Sequence, residues 1–142
     1  MATRMSNVEL VKKLWDEGWN GGRVEVVDEV VADHAVAHHD GAPAGKQAWK
    51  DAIRFYRGAF PDLHYRIEDL INAGDKVIVR WTATGTDTLG FMGRPPTNKT
   101  ATVSGINIYR AEAGLLVEHW DEWNLAGLMQ ALGVPPPMPA MP

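Results

Sequence analysis

The chain has 142 residues, 45% of them hydrophobic, and a formal net charge of −4. That is one domain with enough apolar content for a single core, which excludes a mostly disordered polymer. Acidic and basic residues are interspersed with no Lys/Arg run, so neither nucleic acid nor an anionic membrane is expected as a partner.

Ser6 followed by Glu9 is a capping-box pattern. Val8, Val11, Leu14, Trp15 and Trp19 then fall at helical spacing until Gly21-Gly22. A short helix is expected over Glu25–Val31, and a His-rich segment, Asp33–Gly41, reads as a short strand running into a loop. A third helix starts at Gly45, carries Trp49, Ile53, Tyr56 and Phe60 at spacings of three and four, and ends at Phe60-Pro61.

From there the period changes to two. Leu63–Ala73 reads as a strand with Leu63, Tyr65, Ile67, Asp69 and Ile71 on one side, then a turn at Gly74-Asp75 and a long strand over Lys76–Thr88. Leu89–Asn98 is long for a hairpin connection, as loops that form lids or rims often are. Lys99–Arg110 is the next strand. A turn at Ala113-Gly114 leads into the last, Leu115–Asn124, and Leu125–Leu132 is a helix stopped by Gly133. Residues 1–133 are read as one domain and Val134–Pro142 as a Pro-rich tail. Three helices followed by four strands in meander order give an α+β domain, and a curled sheet capped by helices leaves a conical cavity.

In the last strand, alternation puts Leu115, Val117, His119, Asp121 and Trp123 on one face. A carboxylate on an apolar face is costly unless the face opens onto a cavity or the group is paired. A buried carboxylate is suited to proton transfer near neutral pH. The alternative is that the sheet ends and Asp121 reaches solvent. His119 either hydrogen-bonds a substrate oxygen, tunes Asp121 or is a core histidine. Asn107 shares a side with Val103 and Gly105 and either donates to a substrate oxygen or is satisfied by its neighbours. Gly105 removes a side chain from the wall, making room for a ring. Trp81 and Trp123 are pocket candidates on strands. Trp15, Trp19, Trp49, Phe55 and Tyr56 are core first and pocket second. Phe91, between glycines in the long loop, closes over a hydrophobic ligand or forms a dimer contact. Arg80 with Asp69 or Glu68 reads as a structural ion pair.

His34, His38, His39 and Asp40 have metal-ligand types in a spacing that cannot converge on one ion, so no metal is expected. The chain has no cysteine, which removes disulfides and thiolate chemistry and fits a reducing cytoplasm. Met1–Asn7 lacks an apolar signal core and no apolar run reaches membrane-spanning length, so a cytoplasmic protein without a membrane partner is expected.

Several stretches resemble one family. They are Ala59-Phe60-Pro61-Asp62-Leu63, Ile67-Glu68-Asp69-Leu70, Gly74 through Trp81, Gly93-Arg94-Pro95-Pro96-Thr97, and Val117-Glu118-His119-Trp120-Asp121 through Leu128-Met129-Gln130-Ala131-Leu132-Gly133. In order and spacing they resemble the SnoaL-like polyketide cyclases of the nuclear-transport-factor-like superfamily. The resemblance implies a cone-shaped α+β fold, with N-terminal helices packed in a strongly curved, mainly antiparallel sheet. It implies intramolecular aldol condensation of a flat, hydrophobic, polyketide-like substrate without metal or cofactor. It places the acid/base on Asp121 and directs His39 to the pocket mouth. Where such cyclases carry a Gln and a His on the preceding strand, this chain has Gly105 and Asn107. The expected site is therefore Asp121 and His119 as catalytic residues, with Asn107, His39, Trp81, Trp123, Trp15 and Phe91 around the substrate. A hydroxylase-type member and a non-catalytic hydrophobic-ligand-binding module are the alternatives. A homodimer or higher homo-oligomer is expected through an outer sheet face bearing Ile78, Ile106, Ile108 and Trp120.

Overall fold

The computed structural model describes residues 5–38 and 43–134. The proposed pocket-mouth residue His39 and the Pro-rich segment beyond residue 134 lie outside the described residues.

Helix α1, Asn7–Lys13, begins where the Ser6 hydroxyl accepts the Glu9 N–H at 3.1 Å. It continues through Leu14–Asn20 as a more loosely wound π-helical turn, which the spacing of apolar residues does not reveal. Gly22, at φ 73°, turns the chain out of it. Helix α2, Val26–Val30, buries Val26, Val27 and Val30. Strand β1 is Val31–His38, and helix α3, Lys46–Ala59, turns Trp49 and Ile53 inward.

Strands β2 (His64–Ala73), β3 (Lys76–Thr86), β4 (Thr100–Glu112) and β5 (Leu115–Trp123) form the expected meander, and helix α4 is Leu125–Leu132. The β4–β5 turn puts Ala113 at φ 51° and Gly114 at φ 82°, the conformation of a tight two-residue hairpin. The sheet order is β1-β5-β4-β3-β2, with β1 parallel to β5 and the other pairs antiparallel. The short strand read in the His-rich segment is β1, and it joins the four-strand meander as a fifth, edge member. Pairing of β1 with a strand about eighty residues later is a long-range event that local periodicity cannot report.

Two bulges correct the period-two faces. Ile67 pairs with Trp81 and Asp69 with Arg80, so Glu68 is an extra residue. Beyond it Leu70 packs on the core, while Ile71, expected beside Tyr65 and Ile67, is exposed. In β5, Arg110 faces Glu118 and Ala111 faces Leu116, which makes Val117 the extra residue. Leu116 is therefore fully buried, whereas Leu115 is only half-buried. A bulge flips every side chain on one side of it.

The long loop after β3 is held by a buried carboxylate. Asp87 accepts the N–H of Gly90 at 3.1 Å, the N–H of Thr97 at 3.0 Å and the Thr97 hydroxyl at 2.9 Å. A Cβ at Gly90 would sit 2.2 Å from the Arg94 carbonyl oxygen, so only glycine closes this loop.

Candidate functional site

The concave face of the sheet and the helices enclose two adjoining chambers. The first, of about 60 Å³, is bordered by Trp15, Trp19, Tyr65, Trp81, Val103 and Trp123, among others. The second, of about 150 Å³, is bordered by Trp49, Tyr109 and His119 with small alanines of β1 and α3. Trp19, Tyr56, Asn107 and Asp121 border both.

Each wall residue is positioned by local structure. Asn20, at the end of the π-helical turn, clamps β2: its Oδ1 accepts the Tyr65 N–H at 2.7 Å and its Nδ2 donates to the Tyr65 carbonyl at 3.0 Å. That holds Trp19 and Tyr65 together, ring centroids 5.2 Å apart. Trp15 meets Tyr65 edge-on at 5.0 Å and lies 6.1 Å from Trp81. Offset and edge-on pairs of this kind are favourable. The first chamber is thus a gap in an indole and phenol cluster, and little of its volume is open.

Asn107 and Asp121 are opposite each other in the β4–β5 register, as are Tyr109 and His119. Asp121 is half-buried and borders both chambers. Its negative charge reaches both inward phenols. Burial pushes the Tyr65 and Tyr109 hydroxyls well above the usual phenol range, and the Asp121 carboxylate adds to each. Both are neutral hydroxyls at any working pH.

A buried polar chain runs along the floor. Trp81 Nε1 donates to Asn107 Oδ1 at 2.9 Å. Asn107 Nδ2 donates to Tyr109 Oη at 3.3 Å, and Trp15 Nε1 donates to the same oxygen at 2.9 Å. The indoles of Trp15 and Trp81 therefore line the cavity with their N–H groups already committed. Asn107 is 7% exposed, with one amide N–H beyond its bond to Tyr109.

His119 borders the second chamber, edge-on to Trp49 at 4.4 Å and tilted against Tyr109 at 5.6 Å. Trp49 Nε1 is buried and has no hydrogen-bond partner among the described residues. Trp123 borders the first chamber and meets Tyr56 edge-on at 5.8 Å. Outside that pair runs a groove of about 460 Å³, bordered by Phe55, Phe91, Met92, Trp123 and Leu125. Phe91 is buried between Phe55, Tyr56 and Phe60 and borders the groove but neither chamber. Phe55 is half exposed on the groove and no part of the core.

Gly105 has a different use from the one its sequence suggests. A Cβ there would lie 2.4 Å from Trp81 Cζ2 and 2.7 Å from Trp123 Cβ. The space it leaves is taken by two indoles of the protein itself. Tyr109 and Tyr65 were not among the expected site residues. Tyr109 follows Asn107 by two residues on one strand, so the alternation that selected Asn107 also selects Tyr109.

Among the described residues no group of three or more His, Asp or Glu side chains is placed to hold a metal, and no helix is long and apolar enough to cross a membrane. Arg80 pairs with Asp69 at 2.6 Å, both side chains being exposed.

Helices seated in a curved mixed sheet, with an aromatic cavity inside the cone, define an α+β protein of the nuclear-transport-factor-like class. The model of the SnoaL-like polyketide cyclase family matches residues 9–132, and the chain belongs to that family. Solved structures agree with this. IdmH, a candidate polyketide cyclase of Streptomyces antibioticus, is 28% identical with a TM-score of 0.80, the match covering 91% of this chain and all of that one. TsrD of Streptomyces laurentii is 28% identical with a TM-score of 0.81, over 94% of this chain and 98% of that one. AclR, a candidate hydroxylase of Streptomyces galilaeus, is 25% identical with a TM-score of 0.79, over 87% and 92%. No curated protein sequence matches the chain.

Proposed function

We propose that this protein is a cofactor-independent, polyketide cyclase-like enzyme that closes a ring by intramolecular aldol condensation, with Asp121 as acid and base. The observation that carries the reading is the place of Asp121, a carboxylate bordering both aromatic chambers. Asp121 takes an α-proton from the substrate; the C–H pair becomes the C=C bond of an enolate, and the carbonyl π pair moves onto its oxygen. The enolate carbon attacks a second carbonyl carbon of the same molecule, a C–C bond forms, and the alkoxide takes the proton back from Asp121. His119, on the same face of β5, helps to set the charge of Asp121 or holds a substrate oxygen.

The chambers are smaller than the ~300 Å³ at the low end of ordinary ligand pockets. The ring that closes occupies them, and the rest of a longer flat, hydrophobic, polycarbonyl substrate lies in the outer groove between Phe91 and Trp123. The test is turnover of a synthetic linear polycarbonyl chain. A positioned general base contributes about 10²-fold or more, so Asp121→Asn should lose at least that while staying folded. Full turnover by Asp121→Asn overturns the reading. No turnover by the native chain, with ligand affinity indifferent to Asp121→Ala, would make it a binding module. The likeness to a candidate hydroxylase keeps a hydroxylase-type reaction as the second reading, recognised by oxygen consumption.

For the assembly we propose a homodimer through the convex face of the sheet. Ile71, Ile78, Ile108 and Trp120 are register neighbours across β2, β3, β4 and β5, and Ile106 beside them is exposed. An apolar row of this kind is what a partner copy covers.

A further inference from the structure

We propose that the Tyr109 hydroxyl is the group that donates a hydrogen bond to the substrate oxygen when it carries the enolate charge, a role that rests on Asp121 acting as the base. The argument is one of hydrogen-bond direction. An indole N–H can only donate. Trp81 Nε1 therefore fixes Asn107 with Oδ1 toward Trp81 and Nδ2 toward Tyr109. Trp15 Nε1 donates to the same phenol oxygen. Tyr109 Oη thus accepts two N–H groups, and the hydrogen bonds of the described residues give its own proton no acceptor. A phenol oxygen accepting two hydrogen bonds has only its O–H left to offer.

That O–H belongs to a residue bordering the second chamber, as does Asp121. Tyr109 is 2% exposed, so bulk water does not satisfy it. Its neighbours restrict it further: Trp49 lies 5.9 Å and His119 5.6 Å from its ring. Two N–H donors also polarise the phenol, which makes its O–H a stronger donor without ionising it. A neutral donor held toward developing oxyanion charge, in a site that excludes water, is the arrangement that stabilises an enolate. No proton leaves Tyr109 in this step; the α-proton goes to Asp121 and the charge on oxygen is met by a hydrogen bond.

The test uses 4-nitrophenolate, a one-ring stand-in for an enolate, and nitrobenzene as its uncharged counterpart. It is done in the Asp121→Asn protein, where no carboxylate repels the anion. Adding Tyr109→Phe should weaken nitrophenolate about tenfold or more and leave nitrobenzene within about twofold, the loss expected for a charge-assisted hydrogen bond. Equal affinity for nitrophenolate with and without the hydroxyl overturns the proposal. So does an equal loss for nitrobenzene, which marks a purely structural role. A second readout does not depend on the folding of Tyr109→Phe. Nitrophenolate bound to Asp121→Asn should bring a hydroxyl proton far downfield in the NMR spectrum, and nitrobenzene should not; absence of that signal also overturns the proposal. Neither readout uses turnover, so the donor stands or falls separately from Asp121. Full turnover by Asp121→Asn together with a positive anion result would remove the base and keep the donor.

Discussion

Asn107 and Asp121 face each other across the β4–β5 ladder, and each borders both chambers of the cavity. The amide is bound on one side by an indole and on the other by a phenol. The carboxylate beside it is thus set against a wall whose polar atoms are already oriented.

Asn107→Leu keeps the volume and removes the amide. Trp81 Nε1 then loses its acceptor and Tyr109 Oη one of its donors. A buried unsatisfied donor costs about 1–3 kcal/mol, so unfolding by urea should show a loss of about 2 kcal/mol with an unchanged denaturant slope. A loss of a few tenths would mean that the chain of indole, amide and phenol adds little to stability.

Gly105→Ala tests the close approach of two indoles to the sheet. The added methyl would overlap Trp81 and Trp123, both large rings held by neighbours, and the Glu122 carbonyl oxygen at 2.8 Å. Overpacking of this kind costs about 1–3 kcal/mol. Melting should fall by several degrees, and the near-ultraviolet signal of the tryptophans should change, as both rings move. An unchanged spectrum would show that the rings do not touch this wall.

Asp62 sits just before β2 and accepts the Thr86 N–H at 2.7 Å and the Thr86 hydroxyl at 2.8 Å. These bonds hold its carboxyl below the usual carboxylate range, the backbone N–H contributing most. A depressed folded-state pKa adds stability that is complete above the unfolded value and disappears as pH falls through the folded one. Asp62→Ala should therefore be less stable by about 1 kcal/mol at neutral pH. The gap from the native chain should narrow on acidification, and a gap that stays constant with pH would deny the charged hydrogen bonds.

Ile106→Glu places a charge on the convex face. If two copies meet there, sedimentation should change from dimer to monomer while the melting of the fold is little altered. A dimer that survives would move the interface elsewhere.

Much of this was legible in the chain. The helical spacing of Trp15, Trp49 and Ile53, the alternation through Lys76–Thr86 and the Gly114 and Gly133 stops each follow from local sterics and burial, and the elements formed where they point. The alternation in β5 also turned His119, Asp121 and Trp123 to the cavity. It failed at Leu115 and Ile71, because Val117 and Glu68 each add a residue that the partner strand does not match. Bulges depend on the partner's register, and no single strand records that.

By itself the sequence determined the α+β order and the family, since these rest on periodicity, turn chemistry and matched stretches of chain; for Asp121 it offered an inward and a solvent-facing reading side by side. Tertiary structure alone decided the parallel seat of β1 beside β5, the filling of the Gly105 space by Trp81 and Trp123, and the convergence of two N–H donors on Tyr109. Each of these is a meeting of residues distant in the chain. Whether a cavity stays open, and which way an amide or hydroxyl can point, is fixed by what arrives from elsewhere to share the space.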